Sequence, residues 1–209
     1  MFQVERLVEE CKSALRESDA RKAVREIVAR AVATPNEIIG ALGEPRLAGV
    51  QTLYHADDLT VLNIGFGPHM RFLPHDHRMW AVIGIYGGHE HNVFYRRHGN
   101  GLQEAGTKDL VTGDTVALGE QVIHAVINPL AKVTAAIHVY GGDFFETPRS
   151  EWDPDTLEES PYDLEKNLRL FEEANERLRA RLGEASRLRE ARFGGRREVG
   201  GARAGPEAD

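Results

Sequence analysis

From Val50 to Tyr140 the sequence breaks into short apolar, β-branched runs, each closed within a few residues by glycine, proline or asparagine. Leu59, Val61 and Ile64 sit in one such run; Trp80 to Tyr86, Asn92 to Tyr95, Thr115 to Leu118, Val122 to Ile127 and Val133 to Tyr140 form others. Runs this short suit strands rather than helices, and turns this close point to an antiparallel sandwich or barrel. His98-Gly99-Asn100-Gly101 marks a hairpin, because Asn-Gly tolerates the positive φ angles of a type I′ turn. Asn128-Pro129 breaks the chain once more.

Into this region falls His75-Asp76-His77. On an extended strand a His-x-His points both imidazoles to one face, about 6.6–6.8 Å apart between alpha carbons, so two rings can meet one metal ion. His124 offers a third ring from a separate strand about fifty residues on, after the turn and apolar run of Gly113 to Gly119. Three neutral imidazoles suit iron, zinc, copper or nickel, and a site with only three protein ligands keeps positions open for a substrate or dioxygen. His89 and His91 repeat the His-x-His pattern but follow directly on a glycine turn and read as hairpin surface. His69 in a Gly-Pro loop and His55 in a polar turn have no partner that would make them ligands.

His75-Asp76-His77 and the later GDTVALGEQVIHAVIN of Gly113 to Asn128 resemble the two motifs of the cupin superfamily. Ala136-Ile137-His138-Val139-Tyr140 is similar to the Ser-x-His-x-Tyr of thiol dioxygenases of the cysteine dioxygenase type, and the likeness covers roughly residues 50 to 145. Ordinary cupins carry a glutamate ligand three or four residues after the second histidine; here Met79, Trp80, Ala81 and Val82 follow Arg78, as in the carboxylate-free site of the thiol dioxygenases. The resemblance implies a mainly β chain, a cupin double-stranded β-helix (jelly-roll barrel), to which helical periodicity on either side adds N-terminal helices and a long C-terminal helix. It further implies Fe(II), or another divalent transition metal, on His75, His77 and His124. Tyr140 would place its hydroxyl near dioxygen or thiol, and His138 would hold that hydroxyl. The substrate would be a small thiol of the cysteine or 3-mercaptopropionate type, oxidised with O2 to its sulfinic acid.

This chain departs from that family at three points. Ala136 stands where the family has serine. Cys11 is the only cysteine, far from the barrel, so no cysteine–tyrosine crosslink can form. Ala48 to Tyr54, aligned by spacing with the carboxylate-binding arginine of the animal enzymes, contains no arginine. A substrate carboxylate would call for a guanidinium, since arginine pairs with that group in a bidentate fork. Arg71, Arg78, Arg96 and Arg97 are candidates by proximity, although strand alternation turns Arg78 away from the metal. Trp80 is a pocket wall or a core residue with its indole N–H bonded to a carbonyl. Two other readings stand beside the dioxygenase: a metal-dependent cupin enzyme of a non-thiol substrate, and a non-catalytic barrel that binds a small ligand.

Around the barrel stretch, Phe2, Val4, Leu7, Val8, Cys11, Ala14 and Leu15 recur at helical steps, with Cys11 as a small buried hydrophobe. Ser18 or Asp19 caps a second helix burying Val24, Ile27, Val28 and Ala31, and Thr34-Pro35-Asn36-Glu37 has the form of a capping box before a third, ended by Gly40 or Gly43. Phe144 to Pro161 reads as irregular surface chain. Leu164, Leu168, Phe171, Leu178, Leu182 and Ala185 trace a long helix that Asn175 interrupts, and that can lie along the barrel or pair two copies as a homodimer. The expected division is therefore 1–48 helices packed on the barrel, 49–147 barrel, 148–193 loop and helix, and 194–209 a glycine- and charge-rich disordered tail. A net charge of −7 argues against general binding to nucleic acid or an anionic membrane. The acidic amphipathic start lacks the form of a signal peptide, and one cysteine suits a reducing compartment, so the expectation is a cytoplasmic protein.

Overall fold

The computed structural model describes residues 1–99 and 101–194. Three helices come first: α1 (Val4–Ala14), α2 (Ala20–Val32) and α3 (Pro35–Leu42). Eleven strands follow among the described residues, β1 (Gly49–Ala56), β2 (Leu59–Phe66), β3 (Arg71–Asp76), β4 (Ala81–Gly87), β5 (His89–His98), β6 (Gly101–Val111), β7 (Thr115–Leu118), β8 (Ile123–Ile127), β9 (Thr134–Tyr140), β10 (Ser150–Trp152) and β11 (Glu159–Pro161). Helix α4 (Leu164–Gly194) is the last element among the described residues. Two compact units result, Met1–Asn175 and Glu176–Asp209, and in the second the described residues continue α4. No helix among the described residues is long and apolar enough to cross a membrane.

All strand pairs are antiparallel and fall into two sheets, β1-β2-β9-β4-β7 and β11-β10-β3-β8-β5-β6. From β2 to β5, and again from β6 to β9, each successive strand crosses to the other sheet, whereas the β1–β2, β5–β6 and β10–β11 pairs each stay within one. That order is the double-stranded β-helix, the jelly-roll barrel expected from the sequence. The interior is filled by Leu62, Ile64, Phe66, Ile83, Ile85, Leu110, Val126 and their neighbours. On the outer face of the five-stranded sheet, Val61, Val82, Ile137 and Val139 pack against α1 to α3. Both faces of β9 are thereby buried, which is why Val133 to Tyr140 reads as a nearly continuous apolar run.

Asp19 caps α2, its Oδ1 accepting from the Lys22 N–H at 3.0 Å. The capping box at Thr34 does not form: its hydroxyl donates back to Ala31 O at 3.4 Å, and Pro35 alone starts α3. Gly43, at φ +85°, ends that helix. Cys11 is fully buried and burial pushes its thiol up to about 12, which makes it an inert core group. In the β5–β6 hairpin His98 pairs with Gly101, so the two loop positions are Gly99, at φ +56°, and Asn100, which lies outside the described residues. The expected tail also lies outside them from residue 195.

Two expectations are corrected. Part of Phe144 to Pro161 is strand, not irregular chain: β10 and β11 extend the second sheet beyond β3, Glu151 pairing with His75. Three-residue strands of sequence SEW and ESP carry too little apolar alternation to show. Nor does Asn175 interrupt α4. It is buried within the helix, its Oδ1 accepting from Ala48 N–H at 2.7 Å and its Nδ2 donating to Ala48 O at 2.8 Å, so it fastens the helix to the chain entering β1.

Helix α2 rests on β4 through Gly84. A Cβ there would lie 2.4 Å from Val28 Cγ1 and 2.9 Å from Val32 Cγ1, and stiff β-branched side chains cannot step aside cheaply. Gly84→Ala is expected to lower stability by about 1–3 kcal/mol through overpacking. The check is a denaturant titration, in which the midpoint should fall while the slope is unchanged.

Candidate metal centre

Strand pairing assembles the three histidines. In the β3–β8 ladder His75 lies directly opposite His124, so both rings project from the same face of the sheet, and the register shifts between Phe72 and His75. His77 follows the end of β3 by one residue. The ring centroids are 4.7 Å (His75–His124), 4.9 Å (His75–His77) and 5.1 Å (His77–His124) apart. One nitrogen of each ring lies within 4.8 Å of the others, a grouping that can hold a metal ion. Asp76, between the ligands, turns the other way: its Oδ1 accepts from Ser150 N–H at 2.8 Å and its Oδ2 from Arg78 Nε at 2.7 Å.

The rings are poised as neutral donors. Burial, the largest effect, depresses the basicity of all three; His75 falls to about 4, with the Arg149 charge adding to the effect. His77 and His124 lie well below the usual imidazole value, each further lowered by its neighbouring histidines. His75 Nδ1 donates to Leu73 O at 3.0 Å, and a carbonyl can only accept, so its Nε2 carries the lone pair. His124 Nδ1 meets Asn92 Oδ1 at 2.9 Å, which leaves its Nε2 buried and unpartnered. Nε2 of His75 and Nε2 of His77 stand 3.1 Å apart. Two nitrogens about 2.0–2.1 Å from one ion, at roughly a right angle, would be that far apart. The donor set therefore fits a divalent transition metal, and buried hydrogen bonds fix two of its three ligands.

Over the cluster opens a narrow cavity of about 40 Å³. That exceeds the roughly 10–15 Å³ needed to hold one water, so the space can receive a small group. Phe72, Phe144, Tyr162 and the first turns of α4, with Asn167, Leu168 and Phe171, wall it, together with the three histidines, His138 and Tyr140. Among the described residues no carboxylate, guanidinium or ammonium lines it. His138 and Tyr140 come from one face of β9, with His138 Nδ1 3.1 Å from the Tyr140 hydroxyl and the Tyr140 ring centroid 5.1 Å from that of His77. Burial lowers His138 to about 3 and raises Tyr140 above the usual phenol range, so both are neutral.

The arginines proposed from sequence lie elsewhere. Arg71 is exposed at the start of β3. Arg78, at φ +55°, swings out to Asp76, and Arg96 extends along the β5–β6 arm to Gln103 Oε1 at 2.8 Å. Arg97 pairs with Glu159 and stacks on Trp152 at 5.0 Å. Trp80 packs with the cluster on the helix side of the barrel, its indole lying against Gly141. None of these lines the cavity. His89 and His91 share Asp109 Oδ1, at 2.7 and 2.9 Å, on the hairpin surface.

The cation whose charge is felt at the site, from behind its wall, is Arg149, in a loop with no sequence signal beyond its place after a proline. It is 8% exposed, stacks at 4.0 Å on both Phe144 and Tyr162, and forms no ion pair among the described residues. Behind it, Glu151 is buried, and its carboxylate accepts from Asp163 N–H (3.1 Å), Lys166 Nζ (2.6 Å) and Asn167 Nδ2 (2.5 Å), anchoring the start of α4 over the cavity. These residues come from the segment beyond the cupin-like stretch, where sequence pattern is silent about what a helix start covers.

The chain matches no family model. Among solved structures it is similar to an RmlC-like cupin from Shewanella frigidimarina, 20% identical over 46% of this chain and 78% of that one, with a TM-score of 0.39. It is similar also to an RmlC-like cupin family protein with a double-stranded β-helix fold from Methanocaldococcus jannaschii (11% identity, 47% and 83% of the two chains, TM-score 0.40). A variant of Bacillus subtilis oxalate decarboxylase matches at 14% identity over 49% of this chain and 28% of its own, with a TM-score of 0.40. The fold itself rests on the strand order of this chain.

His124→Ala is expected to abolish stoichiometric metal binding, since it removes one of three ligands, whereas His91→Ala should bind metal at the wild-type level. Metal content of the purified variants after loading and desalting checks this, and full occupancy in His124→Ala would remove the site.

Proposed function

We propose that the protein is a metal-dependent dioxygenase of a small thiol, RSH + O2 giving RSO2H, with His75, His77 and His124 holding Fe(II). The observation that carries this reading is a cluster of three neutral imidazoles, with no carboxylate beside it, at the floor of a small apolar cavity that also receives the Tyr140 hydroxyl. Ferrous iron, when bound there, supplies the open positions and the redox chemistry that oxidation of a thiolate by dioxygen requires.

The chain's own groups do the rest. A thiol must lose its proton to be a good ligand, and the buried Arg149 charge behind Phe144 and Tyr162 favours an anion in the cavity. Phe72, Phe144, Leu168 and Phe171 exclude water from the reacting atoms. Tyr140, held by His138, offers a hydroxyl at the floor to bond oxygen or sulfur as charge develops there. With no cation in the wall, recognition of the substrate's tail falls to Tyr162, Asn167 and the apolar side chains. The small volume limits that tail to a few atoms.

The neutral, carboxylate-free donor set also suits a metal-dependent enzyme of a non-thiol substrate, and the experiment separates the two. Protein loaded anaerobically with ferrous iron should consume one O2 per sulfinate formed when given small thiols, among panels with and without carboxylate and amine groups. No uptake with any thiol, in protein holding one iron per chain, would sink the dioxygenase reading. Tyr140→Phe should lower kcat by about 10²-fold, the lower end for a group that moves or bonds a reacting proton, with metal content unchanged.

A further inference from the structure

The cavity wall holds a polar atom that the proposed reaction leaves unused. Asn167, in the first turn of α4, lines the cavity, is 1% exposed, and has no hydrogen-bond partner at Oδ1. Chemistry fixes which way its amide points. Nδ2 lies 2.5 Å from Glu151 Oε2, and a carboxylate that already takes the Asp163 N–H and Lys166 Nζ is an acceptor only. The nitrogen therefore faces Glu151, and the carbonyl end is turned away from it.

Strand pairing holds this amide close to the metal ligands. Glu151 is the cross-strand partner of His75, and residues directly opposite one another project from the same face with Cβ atoms about 4.5–5.5 Å apart. Asn167 is thus one hydrogen bond from the residue beside a ligand. Around it the same side of the cavity is aromatic or apolar: the Phe72 and Tyr162 ring centroids lie 5.2 and 6.2 Å from that of His75, and α4 adds Leu164, Leu168 and Phe171. A buried acceptor without a donor costs the folded chain free energy, and a ligand that brings a donor removes that cost.

The surroundings select the kind of donor. A carboxylate tail would set a second acceptor against Oδ1, and no cation lines the cavity among the described residues to hold it. An ammonium could donate, but no carboxylate lines the cavity either, and the Arg149 charge stands behind Phe144 and Tyr162. Glu151, the acid behind Asn167, already meets Lys166. A hydroxyl donates without bringing a charge into an apolar space. We propose that Asn167 Oδ1 is a specificity-determining acceptor for an uncharged hydrogen-bond donor on the substrate's tail, so that the site prefers a small hydroxyl-bearing thiol to its methyl, ammonium and carboxylate counterparts. This inference rests on the thiol reading of the site.

The test is thiolate binding to the cobalt(II)-loaded full-length protein without oxygen, read from the sulfur-to-cobalt charge-transfer band. The probes are 2-mercaptoethanol, 1-propanethiol, cysteamine and mercaptoacetate; the first three differ only in ending with hydroxyl, methyl or ammonium. Dissociation constants are referred to the thiolate, so that the acidity of each thiol drops out. Wild type should bind 2-mercaptoethanol about tenfold more tightly than 1-propanethiol, the worth of one hydrogen bond, and more tightly than either charged thiol. In Asn167→Leu, with cobalt content as in wild type, that ratio should fall to about one; Asn167→Ala serves if the leucine variant does not fold. Weaker binding of every thiol with the ratio kept would make Asn167 only an anchor of α4 and overturn the proposal. A wild-type ratio near one, or a preference for mercaptoacetate or cysteamine, overturns it equally. No charge-transfer band with any thiol, in protein holding one cobalt per chain, would sink the thiol reading and this inference with it, so the two failures are told apart by whether any thiolate binds.

Discussion

The β3–β8 ladder is the constraint on which the rest of the molecule depends, because it sets His75 against His124 before any ligand is considered. Burying three imidazoles costs free energy unless each remains neutral and spends its second nitrogen on a partner. The barrel meets that condition for two of them with Leu73 O and Asn92 Oδ1, groups supplied by the strand itself and by the neighbouring β5. One step of slippage in either strand would carry a ring to the opposite face and break the cluster. The five-stranded sheet, which faces this ladder across the interior, is in turn held by α1 to α3 on its outer side, through contacts as close as that of Gly84 with α2.

A second set of interactions closes the site from above. Glu151 lies opposite His75 in the sheet, yet its carboxylate is spent on the backbone and side chains that begin α4. Asn175 fastens the same helix to Ala48, and Ala174 lies so near Gly67 that a Cβ there would come within 2.8 Å of it. These ties convert an open barrel mouth into an enclosed apolar space. A carboxylate only one strand away from the ligands is thus kept from serving as one, since its lone pairs are committed to α4.

The legible part of this architecture is the part whose residues are periodic. The apolar runs that became β4, β7, β8 and β9 bury at least one face and so alternate or run continuously; the His-x-His and His124 carry their chemistry in fixed spacing. Strand β6 was silent because most of it is exposed, and β10 because three residues cannot establish a period. The substrate arginines failed for a different reason. Proximity in sequence placed Arg71, Arg78 and Arg96 near the ligands, but a left-handed residue at 78 and the outward run of the β5–β6 arm carry them away. Arg149 and Glu90 were missed because neither belongs to a pattern; each becomes notable only once its burial is known.

Those two residues set opposite electrostatic conditions inside one barrel. Arg149 is sandwiched between two aromatic faces, where a weakly hydrated guanidinium stacks well. Glu90, with no cation and no full hydrogen bond, sheds its charge instead. Near the mouth the field therefore favours an anion, whereas in the interior the protein keeps a neutral donor. The His138–Tyr140 pair lies beside the metal ligands, its phenol hydroxyl held neutral by burial.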